Sequence, residues 1–172
     1  MTVVQTPPDH SIRLNKLVRS PRQRVFEAWT QPEQIAAWFA PEPDTVCRDV
    51  TLEPEVGGAF RFAMESPKGL HVGGGTITAF DPPNKLAYSW SWEGMPDFGH
   101  DSHVTIELFE AENPYDDGRP ATEVVLTHER LATASERSEH TGGWWASLRA
   151  LGFYVRGVDP REAMFGKAAA SG

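Results

Sequence analysis

The stretch GGWWASLRALGFYVRG, residues 142–157, has the spacing of an amphipathic helix and carries two adjacent tryptophans. At about 100° per residue, its apolar side chains fall within one sector, and Arg149 and Arg156 lie outside the centre of that sector. The spacing predicts a long C-terminal helix with one buried face. That face consists of Trp144, Trp145, Leu148, Leu151, Gly152 and Val155.

Gly152 interrupts this apolar face. Glycine in a helix interior costs about 1 kcal/mol relative to alanine, so its presence calls for a reason. The missing side chain leaves space between the helix and an opposing layer, or it lets a strand approach the helix closely. The sequence leaves both interpretations open.

Upstream of the helix, apolar residues recur with the period of two that is typical of β-strands. The clearest case is LAYSWSW at 86–92, which places Tyr88, Trp90 and Trp92 on one face and small residues on the other. Weaker alternation predicts strands near 12–18, 45–52, 60–64, 70–80, 104–108 and 124–128. The connections are too short for parallel crossovers, so we expect an antiparallel sheet. Three glycines at 73–75 predict a bend or a close approach in it.

Two short helices are predicted after the first strand. Their starts are indicated at Ser20 and Thr30, each followed by proline and by Gln or Glu at the spacing of a capping box. Pro41 and Pro43 end the second helix. The elements together predict an α+β fold, in which a curved antiparallel sheet of six to seven strands wraps around the long C-terminal helix.

The length of 172 residues suits one domain with a sizeable core. We expect an N-terminal extension at 1–10, the domain itself at 11–157 and a C-terminal tail at 158–172. The tail has no clear periodicity.

The composition limits the classes of partner and the location that we expect for this protein. The formal net charge of −8 repels phosphate backbones, so we expect no nucleic-acid partner. The single cysteine, Cys47, favours a reducing compartment, and neither a signal peptide nor an apolar run of about 20 residues is evident. We therefore expect a cytoplasmic protein without a membrane span. The sequence leaves open whether it forms a homodimer.

The predicted aromatic faces of sheet and helix form the candidate ligand site. His128 and the Tyr88 hydroxyl are its polar groups, and an ordinary packed core with a hydrogen-bonded histidine is the alternative. A pair of His128 with Tyr88 or Glu107 could serve acid–base chemistry. The candidate residues are Phe60, Phe62, Tyr88, Trp90, Trp92, His128, Trp144, Leu148 and Gly152.

No catalytic residue, metal ligand or cofactor site is assigned. His100 and His103 stand three apart on an extended segment and point to opposite faces. The segment from Asp116 to Gly118 lacks the further acidic positions of a calcium loop and is interpreted as a turn. Cys47 has no activating base nearby in the sequence.

Several local motifs resemble one family, and they span about residues 12–157. The sequence is similar to the START-like, helix-grip (SRPBCC) superfamily, in the branch named for homologues of the activator of the heat-shock-protein ATPase. The motifs are Ser20-Pro21, Val25 to Thr30, Trp38 to Pro41, Gly57 to Phe62, Pro82-Pro83 before Leu86 to Trp92, Leu126 to His128, and His140 through Trp144 to Leu148 and Leu151.

The resemblance implies a seven-stranded antiparallel sheet around the C-terminal helix, with an elongated apolar pocket between them. It transfers no catalytic residue. The leading hypothesis is therefore binding of a small hydrophobic molecule, such as a lipid, polyketide or aromatic metabolite, without catalysis. The alternatives are a cyclase-, aromatase- or hydrolase-type enzyme and an interaction module that regulates a chaperone or another partner.

Overall fold

The computed structural model describes residues 10–95, 98, 101–115 and 118–166. Residues 1–9 of the extension predicted at 1–10, the last six residues of the predicted tail, His100 and Asp116-Asp117 lie outside these ranges. The elements are, in chain order, β1 (His10–Val18), α1 (Arg22–Thr30), α2 (Pro32–Trp38), β2 (Val46–Leu52), β3 (Ala59–Ser66), β4 (Gly69–Asp81), β5 (Lys85–Trp92), β6 (Ser102–Ala111), β7 (Ala121–Leu131), α3 (Ala134–Tyr154) and α4 (Pro160–Phe165).

The seven strands form one antiparallel sheet in the order β1-β7-β6-β5-β4-β3-β2. The predicted α+β class, the curved sheet, the long C-terminal helix and the two short helices after the first strand are all confirmed. The first strand pairs with the last one, so β1 and β2 are the two edges of the sheet. Alternate residues of the strands are buried, and the core is one continuous cluster between the sheet and the helices.

The predicted close approach at the three glycines is confirmed in β4. Gly74 has a φ of +140°, and a Cβ there would lie 2.0 Å from the carbonyl oxygen of Phe60 in β3. A Cβ on Gly75 would lie 2.0 Å from the carbonyl oxygen of Ser89. The backbones on both sides of β4 thus occupy the space that side chains would need.

The long helix α3 begins earlier than its apolar spacing indicates. Thr133 is its N-cap, and the Thr133 hydroxyl accepts a hydrogen bond from the backbone N–H of Glu136 at 3.1 Å. Its buried face starts with Glu136 and His140 and continues through Trp144 to Leu151. Trp145 is 46% exposed, so its predicted place on the buried face is wrong.

The predicted capping boxes of the two short helices are also wrong. The N-cap residues are Pro21 and Gln31, and neither side chain caps a backbone N–H of its helix. Ser20 is buried, and its carbonyl oxygen accepts from the Thr122 hydroxyl at 2.7 Å, which ties the start of α1 to β7. The Thr30 hydroxyl donates to the carbonyl oxygen of Phe26 at 2.8 Å within α1. The prolines still mark both helix starts.

The segment after α3 contains a short helix, although its sequence shows no periodicity. The side chain of Asp159 caps α4 by accepting from the N–H of Arg161 at 2.9 Å. The Arg161 guanidinium donates to the carbonyl oxygens of Glu42, Pro43 and Thr45 at 3.0, 2.9 and 2.8 Å. Arg161 thereby fastens α4 to the loop between α2 and β2. Within the described residues, no helix has the length and apolar character needed to cross a bilayer.

Candidate ligand-binding cavity

A cavity of about 160 Å³ lies beside the first half of α3. It is enclosed by α3, by β3 and β5, by the end of α2 with the following loop, and by the loop after β5. Most of the surface that faces it is apolar. Its lining consists of Phe39, Ala40, Glu42, Met64, Trp90, Trp92, Phe98, Glu139, His140, Gly143, Trp144 and Ser147.

The cavity has a buried floor and an open rim. Trp90, Trp144 and His140 are buried, whereas Glu42 and Glu139 are exposed at the mouth. A surface groove of about 300 Å³ continues outward from the mouth. Residues common to cavity and groove are Glu42, Met64, Trp92, Phe98 and Glu139, and the groove adds Thr45, Ser66, Lys68, His71 and Met95.

Aromatic rings in mutual contact build the walls. The Trp90 ring lies 5.5 Å from the Trp92 ring and 5.3 Å from the Trp144 ring, measured between centroids. Phe39 packs edge-on against Trp144 at 5.7 Å. Phe98 stacks on the His140 imidazole at 4.8 Å. These contacts hold the rings in fixed orientations around the open space.

His140 provides the polar group of the buried wall. Its Nδ1–H donates to the backbone carbonyl of Glu136, one helical turn earlier, at 2.7 Å, so the neutral ring carries its proton on Nδ1. Nε2 is then an acceptor, and it receives the indole N–H of Trp92 at 3.2 Å. Burial lowers the pKa of His140, and the carboxylates of Glu136 and Glu139 partly oppose that shift. His140 is therefore neutral at pH 7.

His128 lies behind this wall and is fully buried. Its Nδ1 accepts the indole N–H of Trp144 at 3.0 Å, which leaves the proton on Nε2, and Nε2–H donates to the Ser102 hydroxyl at 2.8 Å. Burial lowers the pKa of His128 to about 3, and the charges of His140 and His103 add to that shift. The partners of His128 are thus Ser102 and Trp144, rather than the predicted Tyr88 or Glu107.

Of the predicted site residues, only Trp90, Trp92 and Trp144 line the cavity. Four others are buried in the core that surrounds it: Phe60, Phe62, Tyr88 and Leu148. Phe60 contacts Tyr88 at 4.7 Å, and Phe62 contacts Trp90 at 5.3 Å. The Tyr88 hydroxyl has no hydrogen-bond partner among the described residues, and burial raises its pKa.

Gly152 lies on the second half of α3, away from the cavity. A Cβ there would meet the Lys16 side chain at 3.6 Å and the Val18 side chain at 3.9 Å. The glycine faces β1 at the far edge of the sheet. Its missing side chain therefore contributes nothing to the cavity volume, and because a Cβ would make only ordinary contacts with these two side chains, no close strand approach requires the glycine either.

Sequence reasoning missed most of the lining. His140, Gly143 and Ser147 stand at i, i+3 and i+7 on one helical face, a spacing that could have assigned them to the same wall as Trp144. Phe39 and Ala40 follow the end of α2, and the backbone N–H of Ala40 donates to the Ser147 hydroxyl at 2.9 Å. No local pattern indicates that this loop meets α3.

The cavity can accept an apolar guest, but it offers little machinery for a reaction. Among the described residues, His140 is the one imidazole in its wall, and both ring nitrogens already have partners. In the part of the chain that the structure describes, no three His, Cys, Asp or Glu residues come together as metal ligands. Burial raises the pKa of the Cys47 thiol to about 12, which leaves it protonated.

The curved sheet, the terminal helix and a cavity between them define a helix-grip domain. The family model described as "Activator of Hsp90 ATPase homolog 1-like protein" matches residues 19–156, and the chain belongs to this family. No curated protein matches the chain.

Solved structures show the same fold at low sequence identity. The crystal structure of protein CV1439 from Chromobacterium violaceum is 24% identical, with a TM-score of 0.72 over 85% of this chain and 96% of that one. The solution structure of an AHSA1-like protein from Aeromonas hydrophila is 21% identical, with a TM-score of 0.66 over 86% and 92%. DynU16, from the dynemicin biosynthetic locus, is 20% identical, with a TM-score of 0.66 over 90% of this chain and 50% of that one.

Proposed function

We propose that this protein binds a small apolar molecule, about one ring system in size, between α3 and the sheet. The observation that carries the proposal is the aromatic cavity of about 160 Å³. Apolar cavities of about 150 Å³ in other proteins stay dry and accept benzene. The volume is smaller than the roughly 300–1,000 Å³ of typical sites for drug-sized ligands. The ligand's ring therefore occupies the cavity, and any longer portion follows the adjoining groove.

Titration of single-ring compounds tests the proposal. Trp90, Trp92 and Trp144 line the cavity, so a bound ring should change the intrinsic fluorescence of these indoles. Indole, toluene and 2-phenylethanol are suitable probes. We expect saturable quenching and a rise of the melting temperature with ligand concentration. If no single-ring probe gives either response at its solubility limit, the proposal is wrong.

Two adjacent glycines in α3 offer a matched pair of variants. Both Gly142 and Gly143 are exposed, and a Cβ on either meets nothing within 4 Å, but only Gly143 lines the cavity. Gly143→Leu should therefore occlude the cavity and abolish probe binding. Gly142→Leu should bind the probes like the unaltered protein. Equal binding by the two variants would contradict the proposed location.

The two alternative functions are catalysis and the regulation of a partner protein. Catalysis of the cyclase, aromatase or hydrolase type needs two or more free titratable groups in the cavity, and regulation of a chaperone or another partner needs an apolar docking surface outside it. The cytoplasmic location, the absence of a nucleic-acid partner and the homodimer stay predictions. The order of preference remains a ligand-binding protein before an enzyme.

A further inference from the structure

We propose that the bound molecule carries a cationic group beside its apolar ring, as a small protonated aromatic amine does. This inference rests on the proposed function, because it assigns the chemical class of the guest in the same cavity. It is drawn from the aromatic residues of the wall, the charges at the rim and the hydrogen-bond donors of the wall.

The rings around the cavity suit a cation. Three indoles and two phenyl rings line it: Trp90, Trp92, Trp144, Phe39 and Phe98. The face of an aromatic ring carries negative electrostatic potential, and tryptophan binds cations most strongly among the aromatic side chains. Cages of several aromatic residues are a common way to recognise ammonium groups. An apolar neutral guest would be served equally well by aliphatic side chains, which are scarce in this wall.

The charged side chains at the rim have one sign. Glu42 and Glu139 are negative at neutral pH, and no lysine or arginine of the described ranges lines the cavity. Among the described residues, neither carboxylate has an ion-pair partner, and the Glu42 carboxylate accepts the Thr45 hydroxyl at 3.2 Å. The Arg161 guanidinium is bonded to the backbone carbonyl of Glu42, outside the cavity lining. Lys68 lies farther out, in the groove beyond the mouth. The field at the mouth therefore attracts cations and repels anions.

The buried wall offers few donors to an anion: the Ser147 hydroxyl is one, but the indole donors are engaged or turned away. The indole N–H groups of Trp92 and Trp144 already donate hydrogen bonds to His140 and His128. The Trp90 N–H has no partner among the described residues, but it has almost no accessible surface and so does not face the open space. Among these side chains, a carboxylate guest would thus gain only the Ser147 hydroxyl in exchange for its hydration.

Three probes of nearly equal shape and different charge test the inference. These are 2-phenylethylamine, which is a cation at pH 7, the neutral 2-phenylethanol and the anion phenylacetate. We expect the amine to bind about tenfold more tightly than the alcohol in low salt, and the anion to bind more weakly than both. The dissociation constants follow from tryptophan fluorescence or calorimetry. The advantage of the amine should shrink as salt is added.

Variants that neutralise the rim carboxylates distinguish the effect of charge on affinity from the effect of cavity shape. Glu42→Gln with Glu139→Gln should remove most of the preference for the amine and leave the affinity for the alcohol unchanged. Glu55→Gln, in the exposed turn between β2 and β3, is the matched control and should keep the preference.

The outcomes distinguish the two proposals. If the alcohol binds as tightly as the amine, or if the double variant keeps the full preference, the cation inference is overturned and the proposed function stands. If none of the three probes binds, the proposed function fails as well.

Discussion

Two histidines in the interior each accept a hydrogen bond from the indole N–H of a tryptophan. Trp144 donates to His128, and Trp92 donates to His140, while the second nitrogen of each ring is also bonded. A buried donor without a partner costs about 1–3 kcal/mol, so these bonds allow two tryptophans to form a wall beside open space. Alternation of the strand predicted that His128 points inward, but it could not identify Ser102 and Trp144 as its partners. Those contacts join β7 to β6 and α3 through residues 26 and 16 positions away from His128, which no local pattern relates.

Removal of the Ser102 hydroxyl tests the bonding of His128. Ser102→Ala leaves the His128 Nε2–H without its acceptor inside the core, so the free energy of unfolding should fall by about 1–3 kcal/mol. Urea denaturation followed by circular dichroism gives the value. Ser135→Ala, on the exposed first turn of α3, should change it little. Equal stability of the two variants would show that the Ser102 bond contributes nothing.

Two glycine substitutions with opposite expected effects on stability test the packing around α3 and β4. Gly152→Ala places its Cβ at ordinary contact distance from Lys16 and Val18, so it should stabilise the protein by about 0.5–1 kcal/mol through helix propensity. Gly75→Ala places its Cβ against the Ser89 carbonyl and should destabilise by about 1–3 kcal/mol. Thermal unfolding of the two variants gives the signs. A loss of stability in Gly152→Ala would contradict the contact geometry given above.

At the scale of elements, the sequence is informative wherever one periodicity dominates. Alternation placed all seven strands, and helical spacing placed α3. Trp145 was misplaced because neighbouring helical residues point about 100° apart, so Trp144 and Trp145 cannot both face the core centre. Thr133 and Glu136 stand at capping-box spacing and could have marked the helix start. The cavity was not predictable, since it forms where five segments meet and depends on how closely they pack.

The attachment of α4 depends on one arginine. Arg161→Lys keeps the charge, but a single ammonium cannot match the planar guanidinium that reaches the carbonyls of Glu42, Pro43 and Thr45. We expect faster amide hydrogen exchange in α4 and in the loop between α2 and β2. Arg137→Lys, on the exposed side of α3, is the control. Unchanged exchange in Arg161→Lys would show that other contacts hold α4.

At the scale of the whole molecule, the buried histidines make stability depend on pH. In the unfolded chain a histidine titrates near pH 6.5, whereas burial lowers the pKa of His128 to about 3 and also lowers the pKa of His140. The unfolded state therefore binds more protons between these values. It follows that stability is fully present above about pH 6.5 and is lost as the pH falls.

The size of this effect can be measured. From pH 7 to pH 5, His128 alone should reduce the free energy of unfolding by about 2 kcal/mol, a range that lies above most carboxylate titrations. His128→Gln should flatten the pH dependence, whatever its stability at pH 7. His71→Gln, at an exposed position, should leave the dependence intact. A flat profile for the unaltered protein over this range would contradict the buried neutral state of His128.

The pairing of the first strand with the last has a consequence during synthesis. Asn15 in β1 bonds to Glu123 in β7, which lies 108 residues later. Contacts between such distant positions slow folding, and β1 has no neighbour until β7 has left the ribosome. Over that time Ile12 and Leu14 are exposed on a nascent chain. The polar residues Arg13 and Asn15, which alternate with these two, oppose aggregation of β1 before it pairs with β7.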